Sequence, residues 1–345
     1  MNCDVAIIGG GTAGMEAAGL LAGSGYNVML FEKNDESGGH LKEWYHLFPD
    51  RRNGEEVRKY LNEKIKKDNL KFFGGQRIDK IEKNKKKFTI NTLQGNEIIA
   101  DAIIIATGFD LFKSERKEEY GYGIYDNVIT SVDLEKKFRN GNMNLSNGEL
   151  PKRIGIVHCV GSRDAKTGNL YCSKLCCVTA VKQAMELKEY LPESRIFCFY
   201  MDMRMGGALY EELYMESQEK YGVNYIRGKV SEVGETINHK LVVKVEDTLV
   251  GRPLRMELDM LVLMAGMEMA EGSKKLTASL GLKTGENRFF QARDNHFGSN
   301  ISNVDGVFYA GSCTAPMNLT ETISHARAAV IEVIDYLKDG RELYK

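Results

Sequence analysis

The sequence predicts an α/β protein made of two three-layer, Rossmann-type units, of which the second is a degenerate copy of the first. Apolar strand-forming runs alternate with helix-forming runs along the chain. The order strand, helix, strand, helix, meander and closing strand occupies residues 4–108 and returns over residues 153–266. In both copies the closing strand ends at a glycine, Gly108 or Gly266. This repetition indicates an internal duplication.

The composition is that of an ordinary globular protein. The chain has 345 residues, 43% of them hydrophobic and 28% charged, with a net charge of −1. That length allows two domains with separate cores. A lysine-rich run over residues 80–87 alternates with apolar Ile81 and ends before Phe88, which indicates a solvated strand and turn. We expect no nucleic-acid partner.

The N-terminus leads from Met1 directly into an apolar strand, without a basic segment or a long apolar segment before it. No run of about 18 apolar residues occurs anywhere in the sequence. These features predict a cytoplasmic protein without a transmembrane segment. Its seven cysteines are then expected to be mostly reduced or ligated.

The first unit opens with a short apolar strand and a G-x-G-x-x-G turn formed by Gly9, Gly11 and Gly14. Gly9 permits the tight turn, Gly11 lets a pyrophosphate approach the backbone, and Gly14 lets the following helix pack on the strand. Thr12 and Ala13 lie at the start of that helix, whose N-terminus attracts phosphate groups. The turn therefore predicts a dinucleotide site.

Glu32 follows the second strand, Val28–Phe31, at the place where an acidic side chain binds the hydroxyl pair of a ribose. A second glycine turn with Gly39 and His40 comes soon after Glu32 and Lys33. Such a turn is typical of flavoproteins with two dinucleotide-binding domains, where it lies along the FAD. The alternative is a simple surface turn. We predict that the bound dinucleotide is FAD.

A β-meander over residues 74–96 leads into an apolar strand that stops at Ala106, Thr107 and Gly108. In flavoproteins of this architecture the Thr-Gly step passes near the cofactor, where the chain leaves for the next domain. We count these three residues, and Ile78 in the meander, among the candidate FAD contacts. Residues 1–111 form the predicted first part of the FAD-binding domain.

The second unit departs from the first at the turn after its first strand. That strand, over residues 154–159, leads into Cys-Val-Gly-Ser-Arg-Asp and not into G-x-G-x-x-G. Helices predicted over 173–191 and 207–221 and a strand over 195–200 complete the copy. Cysteines thus replace a nicotinamide pocket in a predicted second domain, residues 112–299.

The last predicted strand, Gly306–Gly311, ends in Ala-Gly, and a helix with Asn318 as its N-cap follows over about 318–337. In flavoproteins of this build the strand delivers a loop to the FAD ribitol, and the helix N-terminus faces the flavin. Ser312 stands where the common motif has Asp. Residues 300–345 complete the predicted FAD-binding domain. The candidate contacts here are Gly311, Ser312, Asn318 and Thr320.

Four of the seven cysteines, Cys159, Cys172, Cys176 and Cys177, lie close together in the sequence. Thiolates this close repel one another unless a cation takes up their charge, which favours a soft metal site. Neither the C-x2-C pairs of zinc sites nor the C-x-x-C of a dithiol occurs, so an iron–sulfur cluster competes with zinc and with unligated or disulfide-bonded cysteines. On a helix Cys172 and Cys176 share one face, whereas Cys177 points about 100° away. The fourth ligand is therefore either Cys177 or a residue elsewhere in the chain.

Segments Cys159–Lys182 and Phe199–Tyr214 carry the marks of a known family. These are C-V-G-S-R-D, then Y-C-S-x-x-C-C with a lysine five residues later, and I-R-G at residues 226–228. Nearly the whole chain resembles the flavoprotein A subunit of heterodisulfide reductase and its relatives in sulfate reducers and sulfur oxidisers. The resemblance implies a thioredoxin-reductase-like fold, FAD, a [4Fe-4S] cluster, a homodimer, and a complex whose iron–sulfur subunits process disulfide or sulfane sulfur.

The resemblance also assigns individual residues. It implies that Cys159, Cys172, Cys176 and Cys177 bind the cluster and that Lys182 is catalytic, facing the flavin near N5. From the sequence alone, Lys182 would be a solvent-facing helix residue. The chain lacks the C-x2-C-x2-C-x3-C repeats of the larger members and resembles their short form, so electron bifurcation is not expected.

The sequence thus predicts an oxidoreductase subunit that relays electrons between FAD and an adjacent [4Fe-4S] cluster. One alternative is a self-contained NAD(P)H-dependent disulfide reductase, which the missing second G-x-G-x-x-G and the missing C-x-x-C disfavour. Another is a non-catalytic iron–sulfur redox sensor, although a net charge near zero disfavours a nucleic-acid output.

Overall fold

The computed structural model describes residues 1–339. The strands are β1 Asn2–Ile8, β2 Val28–Phe31, β3 His46–Leu47, β4 Arg52–Asn53, β5 Leu70–Phe73, β6 Ile78–Asn84, β7 Lys87–Thr92, β8 Glu97–Ile105, β9 Phe109–Leu111, β10 Val128–Thr130, β11 Arg153–Val160, β12 Arg195–Tyr200, β13 Asn224–Arg227, β14 Val230–Glu235, β15 Leu241–Asp247, β16 Arg252–Leu258, β17 Met260–Ala265, β18 Met267–Met269 and β19 Val307–Tyr309. The helices are α1 Thr12–Gly23, α2 Gly54–Lys64, α3 Ser131–Asn140, α4 Cys176–Tyr190, α5 Tyr210–Glu219, α6 Ser273–Leu280 and α7 Leu319–Asp339.

The first compact unit, unit 1, comprises residues 1–42, 54–110 and those from Glu268 onward. Its seven-stranded sheet has the order β5-β2-β1-β8-β7-β6, and β19 pairs with β8. Strands β5, β2, β1, β8 and β19 pair in parallel, whereas β6, β7 and β8 form the antiparallel meander. Strands β1, β2, β8 and β19 therefore end at one edge of the sheet, where an open α/β sheet binds its ligand.

The second compact unit, unit 2, comprises Glu43–Asn53 and Leu111–Met267. Its five-stranded sheet has the order β10-β17-β11-β12-β13, and all neighbouring strands are parallel. Strands β14, β15 and β16 form a separate antiparallel sheet. The strand–helix–strand order β11-α4-β12 repeats β1-α1-β2, which confirms the predicted α/β repetition.

Burial follows the composition of the strands. In unit 1, Ile103, Ile105 and Tyr309 on the parallel strands are fully buried with Phe88 of the meander. In unit 2, the apolar strand β17 is buried along its whole length. Strands buried on both faces are nearly continuous apolar runs, which is why these segments could be assigned from the sequence.

Two segments group differently from the predicted boundaries. Residues 268–299, which the sequence pattern assigns to the second domain, belong to unit 1, where α6 packs on β6. Residues 43–53 lie within the predicted first domain but belong to unit 2, where β3 and β4 form a short hairpin. Long-range contacts decide both assignments, and no local sequence signal marks them. Of the predicted C-terminal part, residues 340–345 lie outside the described residues.

No helix among residues 1–339 is both long enough and apolar enough to cross a membrane.

Candidate functional site

The glycine turn after β1 has the backbone contacts that its pattern predicts. Gly9 has a φ of 113°, and a Cβ there would lie 2.3 Å from the carbonyl oxygen of Ala106. A Cβ on Gly14 would lie only 1.9 Å from Gly9 O. At Gly11, by contrast, the nearest atom to a Cβ would be Gly39 Cα, 3.8 Å away. Gly9 and Gly14 are therefore needed for packing, and Gly11 leaves space above the turn.

The backbone orients the acidic side chain at the end of β2. Glu32 is buried, its Oε2 accepts a hydrogen bond from Gly10 N at 2.7 Å, and its Oε1 accepts one from Asn34 N at 3.0 Å. The carboxylate is thus held beside the glycine turn, and its remaining lone pairs can accept further hydrogen bonds. The contact to Gly10 was not predicted, because G-x-G-x-x-G leaves that position free.

The second glycine turn approaches the first. Gly39 has a φ of 53°, and a Cβ on it would lie 3.0 Å from Gly11 Cα. The ring of His40 stacks on Phe109 with centroids 4.2 Å apart, and its Nε2 lies 2.9 Å from Phe109 O. Both contacts lie within unit 1. They place the two predicted glycine turns side by side at the edge of the sheet.

Three of the remaining candidates lie at the same sheet edge, Lys33 directly follows Glu32 there, and Ile78 lies on another strand. Ala106 N donates to Ile8 O, Gly108 has a φ of 66°, and Thr107 Oγ1 lies 2.7 Å from Ser273 Oγ. Ile78 begins β6 and is partly buried. Lys33 is exposed, with its ammonium 3.8 Å from the Asp110 carboxylate.

The C-terminal candidates surround the start of α7. Gly311 has a φ of 74°, a Cβ there would lie 2.7 Å from Ala13 Cβ, and its N–H donates to His325 Nδ1 at 2.9 Å. Ser312 is buried, and its Oγ lies 3.4 Å from Thr322 Oγ1. Gly311 therefore lies against α1, where the glycine turn enters its helix.

Asn318 caps α7 as predicted. Its Oδ1 accepts from Glu321 N at 2.8 Å, and Glu321 Oε2 accepts from Asn318 N at 3.0 Å, which is a reciprocal capping box. Thr12 lies in the first turn of α1, and Thr320 is exposed in the first turn of α7.

Unit 1 fits a dinucleotide such as FAD. Gly11 leaves the glycine turn open, Glu32 is oriented by two backbone N–H groups, and α1 begins at the turn with no side-chain cap on its N-terminus. Free N–H groups at a helix N-terminus bind phosphate oxygens. Gly9, Gly10, Gly11, Gly14 and Glu32 would hold the nucleotide.

The corresponding turn of unit 2 is filled. A Cβ on Gly161 would lie 2.0 Å from Cγ of Phe112, so the phenyl ring packs directly over this turn. Asp202, just after β12, occupies the position of a ribose-binding acid, but its carboxylate contacts Arg163 at 2.5 Å and Arg227 at 3.3 Å. The second unit therefore lacks the open glycine turn and the available acid of the first.

The four clustered cysteines are gathered beside this filled turn. Cys159 is buried at the end of β11, Cys172 is half-buried in the following loop, and Cys176 and Cys177 begin α4. All four are free thiols. Lys174 N donates to Cys172 Sγ at 3.2 Å. Because α4 begins at Cys176, two of the four thiols lie at a helix N-terminus.

The thiols influence one another electrostatically. A hydrogen bond from Cys176 lowers the pKa of Cys159 to about 7, against the effect of burial and with help from the charge of Arg163. The same hydrogen bond, burial and the charges of Cys159, Cys177 and Cys172 raise the pKa of Cys176. Burial raises the pKa of Cys177 to about 11. The four sulfur atoms are thus close enough for the charge of one thiolate to act on its neighbours.

The donor set fits a soft, thiolate-bound metal cluster in its chemistry. Within residues 1–339, however, no three His, Cys, Asp or Glu side chains are arranged as a preformed metal site. Cys177 Sγ donates to Asp202 O at 3.7 Å, and Cys176 Sγ to Met264 O at 3.9 Å. Cys159, Cys172, Cys176 and Cys177 remain the residues that would hold a cluster.

Lys182 lies in a buried charge network and not on a solvent-facing side of α4. Its ammonium donates to Glu135 Oε1 at 2.5 Å and to His46 O at 2.9 Å, and lies 3.3 Å from Glu186 Oε2. Its side chain is only 2% exposed. Glu135, on α3, also accepts from Gln183 at 2.6 Å. All these contacts lie within unit 2.

Several buried polar groups were not predicted from the sequence. Glu135 was missed because acidic residues of an amphipathic helix usually face solvent, and only the fold pairs it with Lys182. His158 precedes Cys159, and burial lowers its pKa to about 4. Both of its ring nitrogens are buried without a hydrogen-bond partner in the described chain. Its adjacency to the cysteine was the one available signal.

Comparison with known proteins agrees with this architecture. A family model described as pyridine nucleotide-disulphide oxidoreductase matches residues 3–157. The thioredoxin reductase of Lactococcus lactis superposes with a TM-score of 0.69 at 20% identity, covering 97% of this chain and 99% of that one. The thioredoxin reductase of T. acidophilum has a TM-score of 0.68 at 20% identity, with 98% and 99% covered. These structures confirm the predicted fold class.

Curated relatives share more of the sequence. The iron-sulfur A subunit of the CoB--CoM heterodisulfide reductase of Methanocaldococcus jannaschii is 40% identical over 248 residues, which are 69% of this chain and 37% of that protein. The A subunit of the H(2)/formate:CoB-CoM heterodisulfide,ferredoxin reductase of Methanococcus maripaludis is 38% identical over 246 residues, again 69% and 37%. The matches span less than two fifths of these relatives. The chain is therefore a homologue of the heterodisulfide reductase A subunits, built on a thioredoxin-reductase-like fold.

Proposed function

We propose that the chain is an electron-transferring flavoprotein subunit of a heterodisulfide reductase-like complex. In this proposal unit 1 binds FAD, and Cys159, Cys172, Cys176 and Cys177 hold a [4Fe-4S] cluster. Bound FAD supplies two-electron chemistry, and a bound cluster supplies one-electron transfer. The observation that carries the proposal is the contrast between an open glycine turn in unit 1 and a turn in unit 2 that is covered by Phe112 and flanked by four free thiols.

Different residues of unit 1 would bind different parts of the FAD. The backbone N–H groups at Gly11 and at the N-terminus of α1 would donate hydrogen bonds to the phosphates, and Glu32 would accept hydrogen bonds from a ribose. The N-terminus of α7 places a positive dipole end near Gly311, where negative charge on a reduced flavin would be stabilised. Lys182 is the proposed catalytic lysine, and Glu135 and Glu186 would hold its side chain in place.

The proposed setting is a multi-subunit complex. The protein would act in the cytoplasm, as a homodimer, with iron–sulfur partners that process disulfide or sulfane sulfur. Support for a multi-subunit setting comes from the relatives, each of which is named as the A subunit of a heterodisulfide reductase.

A self-contained NAD(P)H-dependent disulfide reductase is the second candidate, since the matched family model is that of pyridine nucleotide-disulphide oxidoreductases. Phe112 covers the turn where a second dinucleotide would pass, and Asp202 is engaged by two arginines. We therefore expect NADH and NADPH to leave the flavin oxidised. An iron–sulfur redox sensor would bind a cluster but no flavin, which the open glycine turn of unit 1 disfavours.

Cofactor analysis after anaerobic reconstitution tests the proposal. We expect one FAD and one four-iron cluster per chain, counted as flavin, iron and acid-labile sulfide. C172S should lose iron and keep flavin. C198S is the matched control, because Cys198 is a buried thiol on β12 outside the clustered set, and it should keep both. Flavin without iron in the wild-type protein would contradict the relay and favour the reductase.

A further inference from the structure

The turn that joins β11 to the cysteine loop has an unusual backbone. Cys159, Gly161 and Arg163 have φ angles of 58°, 77° and 53°, and Ser162 N donates to Cys159 O at 3.3 Å. Two non-glycine residues in the left-handed region within five positions cost free energy, which the surrounding structure must offset. Such strain is characteristic of functional sites. Here the turn directs the chain at Arg163 back toward Cys159.

Arg163 is held by an acidic residue whose backbone also contacts one of the four cysteines. Its Nη2 donates to Asp202 Oδ2 at 2.5 Å. The backbone carbonyl of Asp202 accepts from Cys177 Sγ at 3.7 Å. Arg163 follows Cys159 in the same turn, and its positive charge acts on both Cys159 and Cys177. Asp202, which holds the guanidinium, follows a different strand, β12.

The guanidinium also has an unused donor. Nη1 of Arg163 is buried and has no hydrogen-bond partner among residues 1–339. A buried donor on a charged group is costly when unpaired, because its hydration is lost without compensation. An electron-rich sulfur ligand beside the turn would satisfy it. Arg163 already lowers the pKa of Cys159, which agrees with a positive charge near that thiol.

We propose that Arg163, held by Asp202, is a positioning residue whose positive charge stabilises the reduced state of the iron–sulfur cluster carried by the four cysteines. This inference rests on the proposed function. Cluster potentials depend on net charge and on hydrogen bonds to sulfur, and a fixed cation nearby favours the state with one more electron. The arginine would therefore set the potential without binding the metal.

Arg227 provides a matched control. It contacts the other oxygen of the same carboxylate, Asp202 Oδ1, at 3.3 Å, and its Nε donates to Met201 O at 3.1 Å. Removing either arginine takes one positive charge from Asp202. Only Arg163 belongs to the turn that carries Cys159. The two substitutions therefore separate a general charge effect from a local one.

The test is an EPR-monitored redox titration of the reconstituted full chain, comparing wild type, R163Q, R163K and R227Q. We expect R163Q to lower the equilibrium constant for one-electron reduction about tenfold, a shift of about 59 mV to lower potential. R163K should lie between R163Q and wild type, and R227Q should stay near wild type. Equal shifts in R163Q and R227Q, or an unchanged R163Q, would overturn the inference while leaving the relay intact.

Two controls keep the outcomes separate. Flavin content per chain reports folding, because the FAD site lies in unit 1. If R163Q loses flavin, R163Q/D202N replaces it and is compared with D202N, because Arg227 has lost the same carboxylate in both variants. R163Q/D202N should titrate at a lower potential than D202N, and equal potentials would overturn the inference. Wild-type protein with flavin but no iron would overturn the proposed function and this inference together.

Discussion

At the scale of single residues, the glycine turn of unit 1 is the most constrained part of the chain. A Cβ on Gly14 would lie 1.9 Å from Gly9 O, a backbone atom that cannot rotate away. We expect G14A to destabilise the protein by about 1–3 kcal/mol through overpacking and to lower FAD occupancy at least tenfold. Urea unfolding and flavin content measure the two effects.

Gly23, in the same helix, is the control for G14A. A Cβ there would meet only the flexible Lys67 side chain, at 3.7 Å. G23A should therefore keep FAD and leave stability equal or slightly higher, because alanine favours helix. Loss of FAD in G23A, or full FAD binding in G14A, would contradict the assigned role of the turn.

His325 gives a pH prediction at the same scale. Burial lowers the pKa of His325 below its ordinary value of 6.5, and its neutral Nδ1 accepts from Gly311 N. Below that ordinary value the unfolded state takes up a proton that the folded state resists, so stability present above about pH 6.5 is lost as pH falls. H325Q cannot titrate and keeps an acceptor.

The measurement for His325 is urea unfolding of wild type and H325Q between about pH 7.5 and pH 5. The free energy of unfolding of the wild-type protein should fall more steeply toward low pH than that of H325Q. Parallel curves would mean that His325 titrates alike in both states.

At the scale of elements, α7 depends on its first turn. Asn318 and Glu321 exchange hydrogen bonds across that turn. N318A should cost about 1 kcal/mol of unfolding free energy, measured in FAD-free protein to separate capping from cofactor binding. T320A is the control, because Thr320 is exposed in the same turn, and it should change stability little. Equal effects of the two substitutions would contradict the capping role.

Helices α3 and α4 are joined by a buried ion pair. Removing one partner of such a pair leaves the other charge uncompensated, so K182M should cost about 3–5 kcal/mol. K182M/E135Q should recover part of that loss, because the Glu135 carboxylate is then no longer buried without its ammonium partner. Denaturant unfolding of the double-mutant cycle measures the coupling. A cost below about 1 kcal/mol for K182M would show that the pair is not structurally required.

Within elements, the structure could be predicted from the sequence where a short local pattern has one physical cause, such as a tight turn or a helix cap. The spacing of Gly9, Gly11 and Gly14 predicted the turn because each contact there is backbone on backbone. Asn318 predicted the start of α7 because capping is local. The burial of Lys182 could not be predicted, since its partners come from residues 46 and 135, far away in the sequence.

At the scale of the whole molecule, the duplication could be predicted from the sequence, whereas the division into compact units could not. Both copies present the same alternation of apolar strands and helices, so the α/β class followed from periodicity. Residues 43–53 join unit 2 through contacts such as Tyr45 N to Glu135 Oε2 at 2.9 Å. A hairpin inserted between two segments of unit 1 leaves no compositional mark.

In the proposed function, one chain carries both a flavin in unit 1 and a cluster on the cysteines of unit 2. An anaerobic titration with dithionite, followed by visible absorbance and EPR, tests it most directly. We predict an uptake of about three electrons per chain, two by FAD and one by the cluster, with a cluster EPR signal in the reduced protein. An uptake of about two electrons with flavin bleaching and no cluster signal would contradict it.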